Sequence, residues 1–425
     1  MTSTTRCRAR EVASAAAEAI RTRTAPGGRL DRADDGDGGR SPGLASGHAG
    51  LALMAAALDE SRPGAGWDRF GHLHLAASLG DEATLSRLGP SLHTGWGGLA
   101  VAATALAAGR PRYRAFLAQC DTALAHGATL LARQVRQGVA PLRPPLVDLV
   151  TGLAGVTVAL LIRRGRSEID AALREALAAL VTLARPDDGS DGHPRLVAPP
   201  QWGAMRLDGR RPLLNLGVAH GLPGVLSALA LASIEGVGGD ATTAAVAGLT
   251  DWLRRYRRAD RWGPAWPNGV SVDPTVPVPP PGRSAWCYGT AGCARALWLA
   301  GCALDRATWR AEAVDAVRGT LRRPPSERGI TSPTFCHGQA GLAHIALRFA
   351  ADTGDGDLAT AAEDEVIRLI EVYEPDSVFG FRRRERDEPP VDSAGVLDGA
   401  AGVVLVLLAA SGDGPAGWDR IFAVA

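Results

Sequence analysis

Seven short glycine blocks constrain this chain more than any other feature. Each has the form Gly-x-x-Gly and is followed by an apolar, alanine-rich run. They begin at Gly47, Gly95, Gly152, Gly221, Gly289, Gly338 and Gly399, at separations of 48, 57, 69, 68, 49 and 61 residues. A single such block carries no information, but seven at quasi-regular spacing form a repeat. They also account for part of an unusually high glycine content, 52 of 425 residues.

Each interval has room for two helices and two connections. The runs Leu51–Leu58, Leu99–Ala108, Val225–Ala232 and Val403–Ala410 are apolar nearly all round, as buried helices are. Between them lie the amphipathic stretches Arg114–Gln137, Glu168–Ala184, Ala241–Arg258, Arg306–Arg322 and Asp357–Tyr373, suited to an outer layer. Strand signals are few. The expected fold is all-α: one α/α toroid spanning residues 1–425, seven inner helices wrapped by seven outer ones. Glycine near each inner helix start would let neighbouring backbones approach closely.

Three segments fall outside this plan. Ala25–Gly43, rich in Gly and Asp, reads as a loop. Pro186–Arg211, in the longest interval, reads as a small irregular insertion near the toroid mouth. Asn268–Gly282, with its proline run, reads as a stiff extended connection.

Charge and composition exclude several functions. A formal net charge of +1 gives no reason to expect nucleic acid or an anionic membrane as partner. All 46 basic residues are arginine, so no lysine Schiff base or phosphate-loop lysine is possible. Met1–Arg10 is polar and basic with no apolar segment behind it, which argues against a signal peptide. No run approaches the roughly 18 apolar residues of a membrane span. Six cysteines spread over the chain do not suggest a disulfide framework. The expected location is the cytoplasm.

The repeat changes its chemistry in the middle. The residue before the first glycine is Ser46, Thr94, Thr151 or Asp398 in blocks one, two, three and seven, types favoured at a helix N-cap. Blocks four, five and six carry His220, Tyr288 and His337 instead, and one position earlier blocks five and six carry Cys287 and Cys336. Local rules broken in register mark function. Cys287, Cys336, His337 and His220 are therefore expected at one mouth of the toroid. Two thiolates and an imidazole suit zinc and leave a fourth position open. Asp148 stands four residues before Gly152, on the same rim, and Arg283 four before Cys287; a capping carboxylate and a solvated loop charge are their plainer readings. Cys293 and Cys302 read as core residues and Cys7 and Cys120 as incidental. His48 and His93 read as structural or mouth-lining; His72, His74, His126, His193 and His344 carry no functional expectation.

At these residues the sequence resembles the lanthipeptide (lantibiotic) cyclases, the LanC-type enzymes. The matching motifs are Asp148-Leu-Val-Thr-Gly152-Leu-Ala-Gly155, Gly217-Val-Ala-His220-Gly221-Leu-Pro-Gly224, Arg283-Ser-Ala-Trp286-Cys287-Tyr288-Gly289 and Cys336-His337-Gly338-Gln-Ala-Gly341. They occur in the family's order. The resemblance implies a seven-fold α/α toroid with one catalytic Zn2+ on Cys287, Cys336 and His337. It implies a dehydrated precursor peptide with a leader as substrate, its Cys thiols added to dehydroalanine or dehydrobutyrine to give lanthionine or methyllanthionine. Asp148, His220, Arg283 and Tyr288 match positions lining the family's active site. A stand-alone cyclase of this length implies a separate dehydratase. Pro186–Arg211 occupies the interval where the family carries an insertion linked to leader docking.

Elementary chemistry fits that reaction. A free cysteine with pKa near 8.5 is only about 3% ionised at pH 7. Zinc binding makes it essentially all thiolate, a gain of about 30-fold or roughly 2 kcal/mol, partly offset by weaker nucleophilicity. Positioning must supply much of the remainder. The expected roles are proton transfer by His220 oriented by Asp148, and stabilisation of developing negative charge by Arg283; Tyr288 either assists or packs. Three alternatives stay open: a LanC-like protein adding glutathione to dehydroamino acids, a peptide-holding scaffold without activity, and, more distantly, a zinc prenyltransferase.

Overall fold

The computed structural model describes residues 1–25, 41–80, 82–138, 144–186, 192–198 and 212–425. The described residues are overwhelmingly helical, with fourteen helices of eleven residues or more. In chain order these are α1 (Ser3–Arg23), α2 (His48–Ser61), α3 (Trp67–Ala77), α4 (Trp96–Ala107), α5 (Arg114–Arg136), α6 (Leu153–Arg163) and α7 (Ser167–Ala184). Then follow α8 (Leu222–Ile234), α9 (Gly239–Arg255), α10 (Thr290–Ala303), α11 (Ala307–Arg322), α12 (Gln339–Thr353), α13 (Gly356–Glu371) and α14 (Ala400–Ser411). Even-numbered helices are the seven opened by a glycine block, and odd-numbered helices alternate with them.

The described chain divides into two compact units. One comprises Met1–Gly89, His93–Asp121 and Ile330–Asp419. Within it the glycine-opened helices adjoin in the order α12, α14, α2, α4, while α13, α1 and α3 pack outside them. The other comprises Pro90–Leu92, Thr122–Gly329 and Arg420–Ala425. There α6, α8 and α10 adjoin in order, with α7, α9 and α11 as their amphipathic partners. In both units the even helices are buried almost all round: every residue of Leu222–Ala232 in α8 and of Ala400–Leu408 in α14 is buried.

Two outer helices escaped the periodicity. In α1, within a segment that reads as polar and basic, small residues at helical spacing (Ala9, Ala13, Ala16, Ala17 and Ile20) are buried against α14 and α13. Alanine has little apolar area, so such a face is nearly silent in hydropathy, yet it permits close helix approach. In α3 the buried face is Trp67, Phe70, Gly71, His74 and Leu75, a mixed set with no clear apolar stripe.

Strands are short. β1 (Val197–Ala198), β2 (Leu213–Asn215) and β5 (Gly269–Ser271) form an antiparallel sheet in the order β1-β2-β5. β3 (Arg258–Asp260) pairs with β4 (Gly263–Ala265), and β6 (Arg382–Arg383) with β7 (Val391–Asp392). The Asn268–Gly282 connection thus contributes a strand at its start; residues 277–283 have no regular structure. Residues 26–40 of the expected N-terminal loop lie outside the described residues, as do 187–191 and 199–211 of the expected insertion.

One expectation needs correcting. Ser46, Thr94, Thr151, His220, Tyr288, His337 and Asp398 are not N-caps. The cap is the first glycine of each block, with no side-chain cap bond. The preceding residue stands one place outside the helix, where its side chain need not bend back onto helix amides and is available to the rim.

Candidate metal and thiol-addition site

The second glycine of a block explains how the rim is built. A Cβ at Gly155, Gly224, Gly292 or Gly402 would lie 2.0, 2.2, 2.2 or 2.0 Å from the carbonyl oxygen of Leu149, Val218, Trp286 or Val396. In each case that carbonyl belongs to the residue six positions earlier. The turn before the helix therefore folds down onto the first helical turn, and only glycine leaves room. The next neighbour is a side chain from the preceding repeat's turn, as with Leu149 against Gly224 and Val218 against Gly292. The close backbone approach at these four glycines therefore lies within each turn, and the neighbouring repeat meets them with side-chain atoms.

Backbone hydrogen bonds then join one turn to the next. Leu149 N–H donates to Ala219 O at 3.1 Å, and Ala219 N–H to Cys287 O at 3.3 Å. Asp148, His220 and Cys287 are thereby set in register by amides at or beside them. In the other unit Cys336 N–H donates to Leu397 O at 2.9 Å, and Leu397 N–H to Ala45 O at 2.8 Å.

Asp148 is buried, 1% exposed, and its two oxygens do different work. Oδ1 accepts from the amides of Thr151 (2.7 Å) and Gly152 (2.8 Å), closing the turn into α6. Oδ2 faces Nδ1 of His220 at 2.6 Å. Asp148 thus braces the turn ahead of the Gly152 cap with one oxygen and meets His220 with the other. Burial disfavours a charged His220, but the hydrogen bond and the charge of Asp148, helped by the Cys287 sulfur, outweigh it, so the imidazole titrates above its ordinary value.

Tyr288 lies beside His220, ring centroids 6.3 Å apart. Its hydroxyl accepts from the Asn215 amide at 3.2 Å, while Asn215 Oδ1 accepts from Gly217 N–H at 2.8 Å. Gly217 makes the space: a Cβ there would lie 2.3 Å from two Tyr288 ring carbons. Gly289 has φ +109°, and its Cβ would sit 1.5 Å from Arg283 O, so the loop carrying Arg283, Cys287 and Tyr288 closes only over glycine. Arg283 is half-buried, and among the described residues its side chain has no hydrogen-bond or ion-pair partner.

Cys287 (4% exposed), Cys336 and His337 each offer one ligand atom, and the three lie within 4.8 Å of one another. Sulfurs bound at about 2.3 Å and an imidazole nitrogen at about 2.0 Å span distances below that limit, so the donor set fits a zinc ion. Two carboxylates face His337: Glu385, which carried no expectation, and Asp398, read from the sequence only as a cap-type residue. Glu385 Oε1 lies 2.6 Å from Nε2, and Asp398 Oδ1 lies 3.6 Å from Nδ1. Burial, with repulsion from Glu385, holds the Asp398 carboxyl above its ordinary range against the opposing effects of His337, Arg383 and Cys336.

The remaining cysteines and histidines stay outside this group. Cys293 is fully buried, donates to Leu216 O at 3.2 Å, and burial pushes its thiol far above the ordinary range, as a core residue requires. Cys302 is exposed rather than buried, at the far end of α10 where the helix meets its C-terminal turn. His48 and His74 pair through their Nδ1 atoms at 2.9 Å, and His344 bonds Asp419 at 2.7 Å.

Glycine-capped helices alternating with amphipathic ones, a carboxylate–histidine pair, and two cysteines and a histidine whose ligand atoms could hold a metal ion define the class: a helical protein with a candidate metal site. The family model for lanthionine synthetase C-like proteins matches residues 40–423, and the chain belongs to that family. The nisin biosynthesis protein NisC of Lactococcus lactis subsp. lactis is 27% identical over 202 residues, covering 46% of this chain and 44% of that protein. The match thus spans less than half of that relative's length. The solved structure of nisin cyclase aligns with a TM-score of 0.76 at 22% identity, over 91% of this chain and 92% of that one. At that identity the likeness is one of fold, and it places the chain among the α/α toroids. Among the described residues no helix is long and apolar enough to cross a membrane.

Proposed function

We propose that this chain is a zinc-dependent lanthipeptide cyclase, a single catalytic domain acting in the cytoplasm. It adds Cys thiols of a precursor peptide to dehydroalanine or dehydrobutyrine, closing lanthionine or methyllanthionine rings. The peptide carries a leader and is dehydrated beforehand by a separate dehydratase. The observation that carries this reading is the approach of Cys287, Cys336 and His337 ligand atoms to within 4.8 Å, with Cys287 linked in register to the His220–Asp148 pair.

Cys287, Cys336 and His337 would hold one zinc per chain. Zinc, when bound, keeps a substrate thiol ionised at neutral pH. The thiol gives up its proton, sulfur bonds to the β-carbon, the alkene electron pair moves into an enolate, and Cα takes up a proton. No proton is gained or lost overall, so one residue that receives first and gives last serves both ends. His220 fits that task, because Asp148 holds its Nδ1 and leaves Nε2 to work on substrate. Arg283, whose side chain has no hydrogen-bond or ion-pair partner among the described residues, stabilises the enolate oxygen. Tyr288 forms the wall beside His220.

Elemental analysis of purified wild type and Cys336→Ala tests the site. About one zinc per chain, lost in the variant, is the expected result. A dehydrated Cys-containing peptide incubated with the zinc-loaded protein should then lose its alkylatable thiols without a change in mass. A folded, metal-free wild type purified without chelators would overturn the reading.

A further inference from the structure

We propose that Glu385 is the positioning residue that orients His337 for the metal. The inference rests on the zinc reading above and goes beyond the three ligands. An imidazole ligand has two nitrogens, and the second must be engaged by a carboxylate, carbonyl or water for the ring to present the right lone pair. Glu385 Oε1 stands 2.6 Å from Nε2 of His337. It does not belong to the group of mutually close ligand atoms, so it acts on the imidazole and not as a fourth ligand. At 2.6 Å the pair lies off hydrogen-bond alignment; a small turn of the imidazole would align Nε2–H with the carboxylate and leave the Nδ1 lone pair for zinc.

The chain holds Glu385 in place deliberately. It follows β6, whose partner is β7. The preceding residue, Arg384, donates its amide to Ser332 Oγ at 3.2 Å and accepts Thr331 Oγ1 at 3.3 Å. Arg384 and Arg382 both grip the Glu374 carboxylate, at 2.5 and 2.8 Å. Ser332 in turn accepts Gln339 N–H on its carbonyl at 2.8 Å, closing the turn that carries Cys336 and His337. Glu385 and His337 are therefore referenced to the same serine. The next three residues, Arg386, Asp387 and Glu388, are exposed; Glu385 alone of these acidic residues turns inward.

The test compares zinc affinity, by competition with a chromophoric chelator, for wild type, Glu385→Ala, Glu385→Asp and Glu388→Ala. Circular dichroism and melting of the metal-free proteins serve as the folding check. Glu385→Ala should bind zinc about 10- to 100-fold more weakly with its fold intact. Glu385→Asp should recover part of that loss, and Glu388→Ala, which removes the same charge from the same loop, should stay within about 2-fold. With cobalt at saturation, Glu385→Ala should retain sulfur-to-metal charge transfer while its ligand-field bands shift. Wild-type affinity and an unchanged cobalt spectrum in Glu385→Ala would overturn the role of Glu385 and leave the three-ligand site standing. Absence of zinc binding by wild type would instead sink the site, and this inference with it.

Discussion

One oxygen of Asp148 faces His220 Nδ1 at 2.6 Å while the other closes the turn into α6 through the amides of Thr151 and Gly152. A residue that both braces the turn before a helix and faces a histidine is held in place by the fold before any substrate arrives. The histidine, in turn, sits beside Cys287 because adjoining backbone amides fix both turns.

Asp148→Asn separates the two tasks. Asparagine keeps an acceptor oxygen for the Thr151 and Gly152 amides, so above the His220 titration stability should hold, whereas Asp148→Ala should cost about 1 kcal/mol more. Without the carboxylate charge, His220 should titrate at lower pH, followed by NMR of its ring protons. Because the folded value is raised, the His220–Asp148 pairing contributes stability below the ordinary pKa near 6.5 and loses it as pH rises through the folded value. Cyclisation by Asp148→Asn should fall about 10- to 100-fold, with the pH profile displaced.

Gly217→Ala and Gly248→Ala should move stability in opposite directions. At Gly217 the new methyl would meet the Tyr288 ring at 2.3 Å and Cys287 O at 2.7 Å. That overpacking should cost about 1–3 kcal/mol and weaken zinc binding. At Gly248, inside α9, nothing lies within 4 Å, and alanine should stabilise by about 0.5–1 kcal/mol. Chemical denaturation of both variants checks the contrast.

The chain's last residues support the cysteine loop. Trp286 donates Nε1–H to Phe422 O at 3.0 Å and packs edge-on against the Phe422 ring; Arg295 donates to Val424 O at 2.6 Å. Trp286→Phe should destabilise by about 1–2 kcal/mol by leaving a buried carbonyl without its donor. Deletion of residues 422–425 should cost more and lower zinc affinity, since Trp286 adjoins Cys287.

Docking of α1 should weaken in acid. Glu363 on α13 accepts Thr2 N–H at 2.9 Å and the Thr2 and Thr5 hydroxyls at 2.5 and 2.6 Å. Burial pushes its carboxyl up, but these bonds and the N-terminal charge outweigh that and lower it to about 2. The stability they confer is complete above the ordinary carboxylate value and disappears as pH falls from about 4.5 towards 2. Glu363→Gln should flatten that part of the pH–stability curve and lower the pH 7 melting temperature by about 1–2 °C.

The glycine blocks made the seven inner helices legible because their cause is local: a second glycine must admit a carbonyl from six residues earlier, and an apolar run must follow. The same register marked Cys287, Cys336 and His337, since replacing capping-type residues at equivalent places is visible without any contact map. Five amphipathic outer helices were legible for a similar reason. The α1 and α3 faces were not, because alanine and histidine surfaces carry little hydropathic contrast.

An α/α repeat and the types of side chain at its rim are readable from spacings of a few residues. The partners of those side chains depend on contacts made in the folded chain. Glu385 meets His337 across 48 residues, Asp148 meets His220 across 72, and Phe422 meets Trp286 across 136. No local period encodes such pairings; they arise when turns joined by backbone hydrogen bonds, and the loops packed over them, bring distant charges and donors within reach.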